Sequence, residues 1–312
     1  MPTPFGPMTK ANARPRRLPE KSWSCKTSPR KLHCLNARVA RFVLPPILGL
    51  LSVLTSASPL HAAEPVAPAK PVFLYCRYFN AEGETRYLPD GTYQDVLRRL
   101  HAQFDVRASR EALTDASLAE VKVVLIANPS DRAVGNNPAP HHFSATDIAV
   151  LTRYVRNGGG LIIMGNQENH NLEVEDTNKL LAGFGLGFTN LYTDVKRLAV
   201  PRNTPIIGGL NWAYYTGNLL ELAKDHPAQP RALVMNDLSR KPLNGPRDQP
   251  GALLAVAEPG IGRVVAVTDA GWISNDVLAD KGIGGVVITN HDNWEIFRRL
   301  TSWAAGVLEP AR

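Results

Sequence analysis

The sequence predicts a three-layer α/β sandwich, with a mainly parallel central sheet and helices on both faces. Three observations predict it. Val72–Tyr78, Val121–Ala127 and Leu161–Met164 are apolar runs, interrupted only by Arg77 and Lys122, as expected of strands covered on both faces. Helical patterns fall between them, with Val96, Leu97 and Leu100 on one face and Ile148, Leu151 and Val155 at i, i+3 and i+7. The alternation of strand and helix continues over about 250 residues, which suits a single domain of this class.

Taken in order, Val72–Tyr78 is the first strand, and Thr92-x-x-Asp95 is a capping-box-like start for the first helix. Phe104–Val106 is a short strand. Val121–Ala127 is the clearest strand and ends at Asn128-Pro129. Ser144-x-x-Asp147 opens a helix that Asn157-Gly158 closes. Leu161–Met164 follows, and Asp176 is placed to cap a helix carrying Leu180 and Leu181, stopped by Gly183 and Gly185. Residues 189–250 contain Trp212, Tyr214 and Tyr215, then a Pro/Asn/Gly/Arg-rich stretch from Arg240 to Pro250. They read as a loop-rich insertion over the sheet. Ala252–Ala257 and Arg263–Thr268 flank Glu258-Pro259-Gly260-Ile261-Gly262 as an antiparallel hairpin near one edge. Asp292-x-x-Glu295 starts a last helix with Trp294, Phe297, Leu300 and Ala304 facing inward, and the domain spans 71–308.

The N-terminal residues read as an address. Residues 1–41 hold ten basic side chains and one acidic, Glu20. Phe42–Ala57 is apolar apart from Ser52, Thr55 and Ser56, and it leads to Leu60-His61-Ala62-Ala63. A basic region, a short apolar region and an Ala-rich exit describe a secretory signal peptide over 1–63, cleaved after Ala62 or Ala63. The apolar run is shorter than the ~20 residues that span a bilayer, and Pro45-Pro46 interrupts it. The expected location is secreted or periplasmic, with no membrane attachment after cleavage and residues 64–70 as a linker. Residues 42–312 keep 25 basic and 27 acidic side chains, a net charge of −2. That balance excludes a broad polyanion-binding surface, so nucleic acid is not an expected partner. Cys25 and Cys34 fall in the removed segment. Cys76 is left alone in an apolar run, where it reads as a small buried hydrophobe.

Several stretches carry a family resemblance. Tyr154-Val155-Arg156-Asn157-Gly158-Gly159-Gly160-Leu161-Ile162-Ile163, Asn178–Gly185, Gly262–Asp269 and the Asp292, Asn293, Leu300, Trp303 pattern occur in this order. Together they resemble class I glutamine-amidotransferase-like proteins, nearest to ThuA-like (trehalose-utilisation) proteins and secreted relatives. The resemblance implies a flavodoxin-like three-layer sandwich over most of 71–306. Active members place a Cys nucleophile in a sharp Gly-x-Cys-x-Gly turn after the central strand, whereas this chain has Met164-Gly165-Asn166-Gln167-Glu168. The family's late His-x-Glu pair is replaced by Asp269-Ala270-Gly271-Trp272. A triad needs a nucleophile, a base and an orienting group, so glutamine hydrolysis is not expected.

In an open α/β sheet, ligands bind beyond the carboxyl ends of the strands. The residues placed there include Arg77, Tyr78, Asn128, Ser130, Asp131, Asn166, Glu168, His170, Asp269, Trp272, Ser274, Asn275 and Asp276. Such a rim suits sugar hydroxyls, with Trp272 or Trp212 stacking on an apolar sugar face. The expected ligand contacts are Asn166, Asp269, Trp272, Asn275, Asp276 and Asp131. The reading is an exported, non-catalytic domain that binds a small polar, carbohydrate-like ligand or a protein partner. The alternative is a hydrolase acting on sugar derivatives, with Asp269, Glu168 or His170 as acid/base groups. The same polar residues also suit turns and caps. No cofactor is expected. No metal is expected either, because Glu168, His170, Asp269, Asp276, His291 and Asp292 come from separate loops without a ligand spacing. His141-His142 reads as an exposed loop pair. The Gly158–Gly160 run precedes a strand, so it is not a phosphate cradle.

Overall fold

The computed structural model describes residues 69–194, 196–236 and 250–307, apart from the Glu168 side chain. The expected signal peptide, linker residues 64–68 and most of the 240–250 stretch lie outside the described residues.

Strand β1 (Val72–Cys76) leads through a long loop to α1 (Gln94–Leu100) and β2 (Asp105–Ser109). Helix α2 (Asp115–Leu118), β3 (Val121–Ala127), α3 (Ala145–Arg156) and β4 (Gly160–Met164) follow. After a 3-10 turn at Glu168–His170 come α4 (Glu175–Ala182) and five strands: β5 (Leu186–Phe188), β6 (Arg197–Ala199), β7 (Asn211–Ala213), β8 (Leu220–Leu222) and β9 (Arg231–Asn236). The chain ends with β10 (Gly251–Ala257), β11 (Arg263–Val267), α5 (Asn275–Leu278) and α6 (Asn293–Ala304).

The main sheet runs β2-β1-β3-β4-β11-β10-β8-β5, with β9 also paired to β10. The five strands from β2 to β11 are parallel neighbours, in the spatial order 2-1-3-4-5 of flavodoxin-like folds. The hairpin read from the sequence is β10–β11, antiparallel in register Leu254↔Val267 to Ala257↔Val264. Past it the sheet continues antiparallel through β8, β9 and β5. Part of the 189–250 insertion therefore extends the sheet, and β6 and β7 form a separate two-stranded ribbon.

Side chains alternate across the strands, and this builds the two outer layers. On one face Phe73 and Tyr75 of β1, Val123 and Leu125 of β3, and Val265 and Val267 of β11 join Val96, Leu97 and Leu100 of α1 and Phe297 and Leu300 of α6. On the other face Leu74 and Cys76, Val124 and Ile126, and Val264 and Ala266 join Leu151 and Val155 of α3 and Leu180 and Leu181 of α4. The glycine run between α3 and β4 has packing reasons. Gly158 takes φ 101° as the helix ends. A Cβ at Gly160 would lie 2.4 Å from the Ala304 carbonyl oxygen, so only glycine lets α6 cross there.

The helix starts divide into those read correctly and those displaced. Ser144 caps α3 in a full capping box with Asp147. At α4 the capping group is the Glu173 carboxylate, which accepts the backbone N–H of Asp176 and Thr177 at 2.8 Å each, rather than Asp176 itself. At α1 the cap position is Tyr93, because the Thr92 hydroxyl bonds the Arg86 carbonyl instead. Asp292 precedes α6, but its carboxylate accepts from Asn211 N–H at 2.7 Å across to β7.

Candidate functional site

The carboxyl ends of β1, β3, β4 and β11 lie side by side, and the polar residues collected there bond mostly to one another. The turn after β4 is the centre. Asn128, just past β3, adopts φ 48°, a left-handed conformation that asparagine tolerates. Its N–H reaches Met164 O, and its Oδ1 accepts the Asn166 N–H at 2.9 Å. Asn166 and Gln167 form the pair at the elbow that follows β4. Asn166 Nδ2 donates to the Tyr87 hydroxyl at 3.1 Å, and its Oδ1 accepts from Ala270 N–H. Every polar group of this side chain is thus engaged by the scaffold.

Asp269 follows β11 and is 1% exposed. Oδ2 accepts the Tyr215 N–H at 2.9 Å, Oδ1 accepts the Gly271 N–H at 2.6 Å, and Thr216 N–H adds a third donor. Burial pushes its carboxyl up to about 6, while the three backbone donors and Lys196 pull the other way. The group shapes the β11 turn and holds the segment after β7 against it.

The remaining expected contacts separate. Trp272 is a correction: it is fully buried, 5.5 Å from Trp212 and 5.9 Å from Phe297 between ring centroids, and cannot stack on a ligand. Trp212, the other stacking candidate, is fully buried as well. Asn275 accepts from Asp95 N–H and donates to Gly91 O, tying α5 to the start of α1. Asp276 is exposed, and Asp131 pairs with Arg132 at 3.2 Å near the surface. His170 does join the centre: its carbonyl accepts from Arg86 at 2.8 Å and Asn128 Nδ2 at 3.0 Å. Burial and the nearby Arg86 charge lower its pKa, so the ring is neutral at pH 7. Glu168 lies in the same 3-10 turn.

Two atoms of this turn keep unused bonding capacity. Gln167 donates its amide to Thr216 Oγ1 at 2.6 Å, yet its Oε1 is buried with no partner among the described residues. His170 Nδ1 is in the same state. A buried polar atom without a partner costs about 1–3 kcal/mol.

The sequence reading missed the loop between β1 and α1. Glu84 there is 5% exposed and forms a bidentate pair with Arg86, with bonds of 2.5–3.1 Å that hold its carboxyl below the usual range despite burial. The available signal was a long loop at the binding edge of the sheet, a length uncommon without a role. His141 and His142 also have contacts. His141 stacks on Tyr78 with centroids 4.2 Å apart. His142 Nε2 lies 3.0 Å from Asp131 O, and its Nδ1 is 3.4 Å from Asp176. With Glu173 these form the one group of potential metal ligands among the described residues. Both Glu173 oxygens already serve the α4 N-terminus, and Lys179 neutralises Asp176 at 2.7 Å.

The model of the IFT52 GIFT domain family matches residues 78–200. No curated protein sequence matches the chain. Among solved structures, the mmIFT52 N-terminal domain has a TM-score of 0.55 at 16% identity, over 77% of this chain and 100% of that one. A putative ThuA-like protein from Bacteroides uniformis ATCC 8492 has a TM-score of 0.47 at 12% identity, covering 78% of this chain and 94% of that one. A beta-galactosidase from Bacillus circulans sp. alkalophilus has a TM-score of 0.42 at 10% identity over 75% of this chain, which spans only 31% of that enzyme. A likeness at these identities is one of fold alone. A ThuA-like structure is thus among the similar folds, while the matching family model is that of the GIFT domain.

Proposed function

We propose that this protein is an exported, non-catalytic domain of the amidotransferase-like fold that binds a small hydroxyl-bearing ligand of the carbohydrate-like class. One observation carries the binding reading. In the turn after β4, the Asn166 side chain is fully engaged, while Gln167 Oε1 and His170 Nδ1 are buried without partners among the described residues. These atoms suit hydroxyl groups: the amide oxygen accepts, and the imidazole nitrogen accepts or donates according to its tautomer. The hydrolase alternative needs free acid/base groups converging on one point. Asp269, its first candidate, has three backbone donors on its carboxylate. Export is supported by the Arg38–Ala63 pattern, and the absence of a nucleic-acid partner by the −2 charge of residues 42–312. No helix among the described residues is long and apolar enough to cross a membrane.

The test is a thermal-shift panel of neutral sugars and polyols on the purified protein. A ligand that binds only the folded state raises Tm. At least one member of the panel is expected to do so, and Gln167→Ala, measured against its own unliganded Tm, is expected to remove the rise. A flat panel, or a rise untouched by the substitution, contradicts the reading.

A further inference from the structure

In the strand order β2-β1-β3-β4, the chain leaves β1 toward β2 on one side and leaves β3 toward β4 on the other. The carboxyl ends of β1 and β3 therefore flank the topological switch point, the place where open α/β sheets bind ligands. Arg77 follows β1 directly, and Asn128 to Ser130 follow β3. The two loops are stapled together: Asn80 Nδ2 donates to Ala127 O and Asn128 O at 2.9 Å each, and Ser130 N–H donates to Phe79 O at 2.8 Å.

Three side chains at this point have unmet hydrogen-bonding capacity. Arg77 is 6% exposed, and its Nε has no partner among the described residues. Ser130 Oγ is buried in a residue 0% exposed, and Asn80 Oδ1 in one 2% exposed, both without partners. Arg77 has no carboxylate at ion-pair distance among the described residues, although Glu84 and Asp90 favour its charged form from farther away. Its recorded side-chain bond goes to the Glu84 carbonyl at 2.9 Å, while the Glu84 carboxylate is taken by Arg86. Arg110 adds a second guanidinium nearby, bonded to Asn80 O. Neither Arg77 nor Arg110 forms an ion pair among the described residues. A buried guanidinium N–H without an acceptor is costly, and an arginine fork is suited to carboxylate and phosphate oxygens.

We propose that the β1/β3 switch point binds an oxyanion carried by the ligand, a carboxylate or phosphate ester on a hydroxylated skeleton, with Arg77 as charged donor and Ser130 as hydroxyl donor. Asn80 Oδ1 then accepts from a ligand hydroxyl. The inference rests on the ligand-binding reading above and adds the charge of the ligand to it. Bound waters would satisfy the same three atoms, but waters do not distinguish a charged sugar from a neutral one.

The experiment is calorimetric titration of the purified protein at low salt with gluconate, glucose 6-phosphate, glucose and inorganic phosphate. The expected result is that gluconate or glucose 6-phosphate binds about tenfold or more tightly than glucose, as one charge-assisted hydrogen bond implies. Which of the two binds tells a carboxylate from a phosphate. The preference should fall to the glucose level in Arg77→Gln and weaken in Ser130→Ala. Should Arg77→Gln not fold, Ser130→Ala carries the test alone, and an unchanged preference there overturns the proposal. Equal affinity for charged and neutral sugars overturns it while leaving the ligand-binding reading standing. Phosphate binding as tightly as glucose 6-phosphate, with no glucose binding, keeps the oxyanion site and removes the hydroxylated skeleton. No binding by any of the four overturns both readings.

Discussion

The Asn166 carboxamide donates to the Tyr87 hydroxyl at 3.1 Å and so joins the turn after β4 to the loop after β1. The same side chain accepts from Ala270 N–H beyond β11. One residue thus locks three strand ends together at the place where a related fold would hold a nucleophile.

Asn166→Ala should destabilise the protein by about 1–3 kcal/mol, because a buried phenol and a buried backbone N–H both lose their partner. Urea unfolding followed by circular dichroism measures it. Asn166→Cys should acquire no glutaminase activity, since no base stands at the family's position and Asp269 is held by backbone donors. Ammonia release from glutamine is the readout.

Asp269 gives a pH signature of defined sign. Its folded-state value near 6 lies above the ordinary 3.8. A raised carboxyl contributes stability that is fully present below the unfolded value and lost as pH rises through the folded one. Between pH 4 and 6.5, wild type should therefore lose stability relative to Asp269→Asn. The substitution should lower stability at every pH, because an amide N–H would face backbone N–H groups. His170, whose lowered value acts in the opposite direction, is common to both proteins and cancels in the difference. Thermal melts across that range, compared pairwise, show whether the difference curve slopes as stated.

Trp272→Ala should behave as a core truncation. The ring is fully buried against Trp212 and Phe297, and its Nε1 donates to Met164 Sδ at 3.4 Å. Loss of about 3–5 kcal/mol is expected. A folded, fully stable variant that had lost only ligand binding would restore Trp272 to the rim.

Cys76 should be silent in the native state. The residue is 0% exposed, and burial pushes its thiol up to about 12. Iodoacetamide should label it only once the protein is unfolded, as intact-mass spectrometry would show.

Much of this fold was legible because β1, β3, β4, β10 and β11 are buried on both faces and so read as apolar runs, interrupted only by Lys122 and opened by Arg263 in β11. Helix α3 was equally legible, since its cap is local in sequence. The starts of α1 and α4 were displaced because other groups compete for the cap: Arg86 O takes Thr92, and Glu173 replaces Asp176, while α6 starts at Asp292 as read, although Asn211 takes its carboxylate. Strands β5 to β8 are three residues each, too short for a period-2 signal, and they depend on tertiary pairing. The sequence placed Asn166, His170 and Asp269 at the carboxyl edge of the strands, where the structure has them. It could not tell bonded from unbonded side chains, so Trp272 and Asn275 were read as rim contacts when one packs the core and the other ties helices together. Gln167 stood out in sequence only as half of the Asn166–Gln167 pair at the elbow.

The central claim is that the turn after β4 binds a ligand without transforming it. An NMR titration of the isotopically labelled protein with a sugar or polyol that raises its Tm tests this directly. The account predicts that the Gln167 side-chain amide and the His170 ring resonances shift together and saturate, while the ligand's own spectrum stays intact over hours of incubation. New ligand resonances from bond cleavage, or saturable shifts that leave Gln167 and His170 untouched, would contradict it.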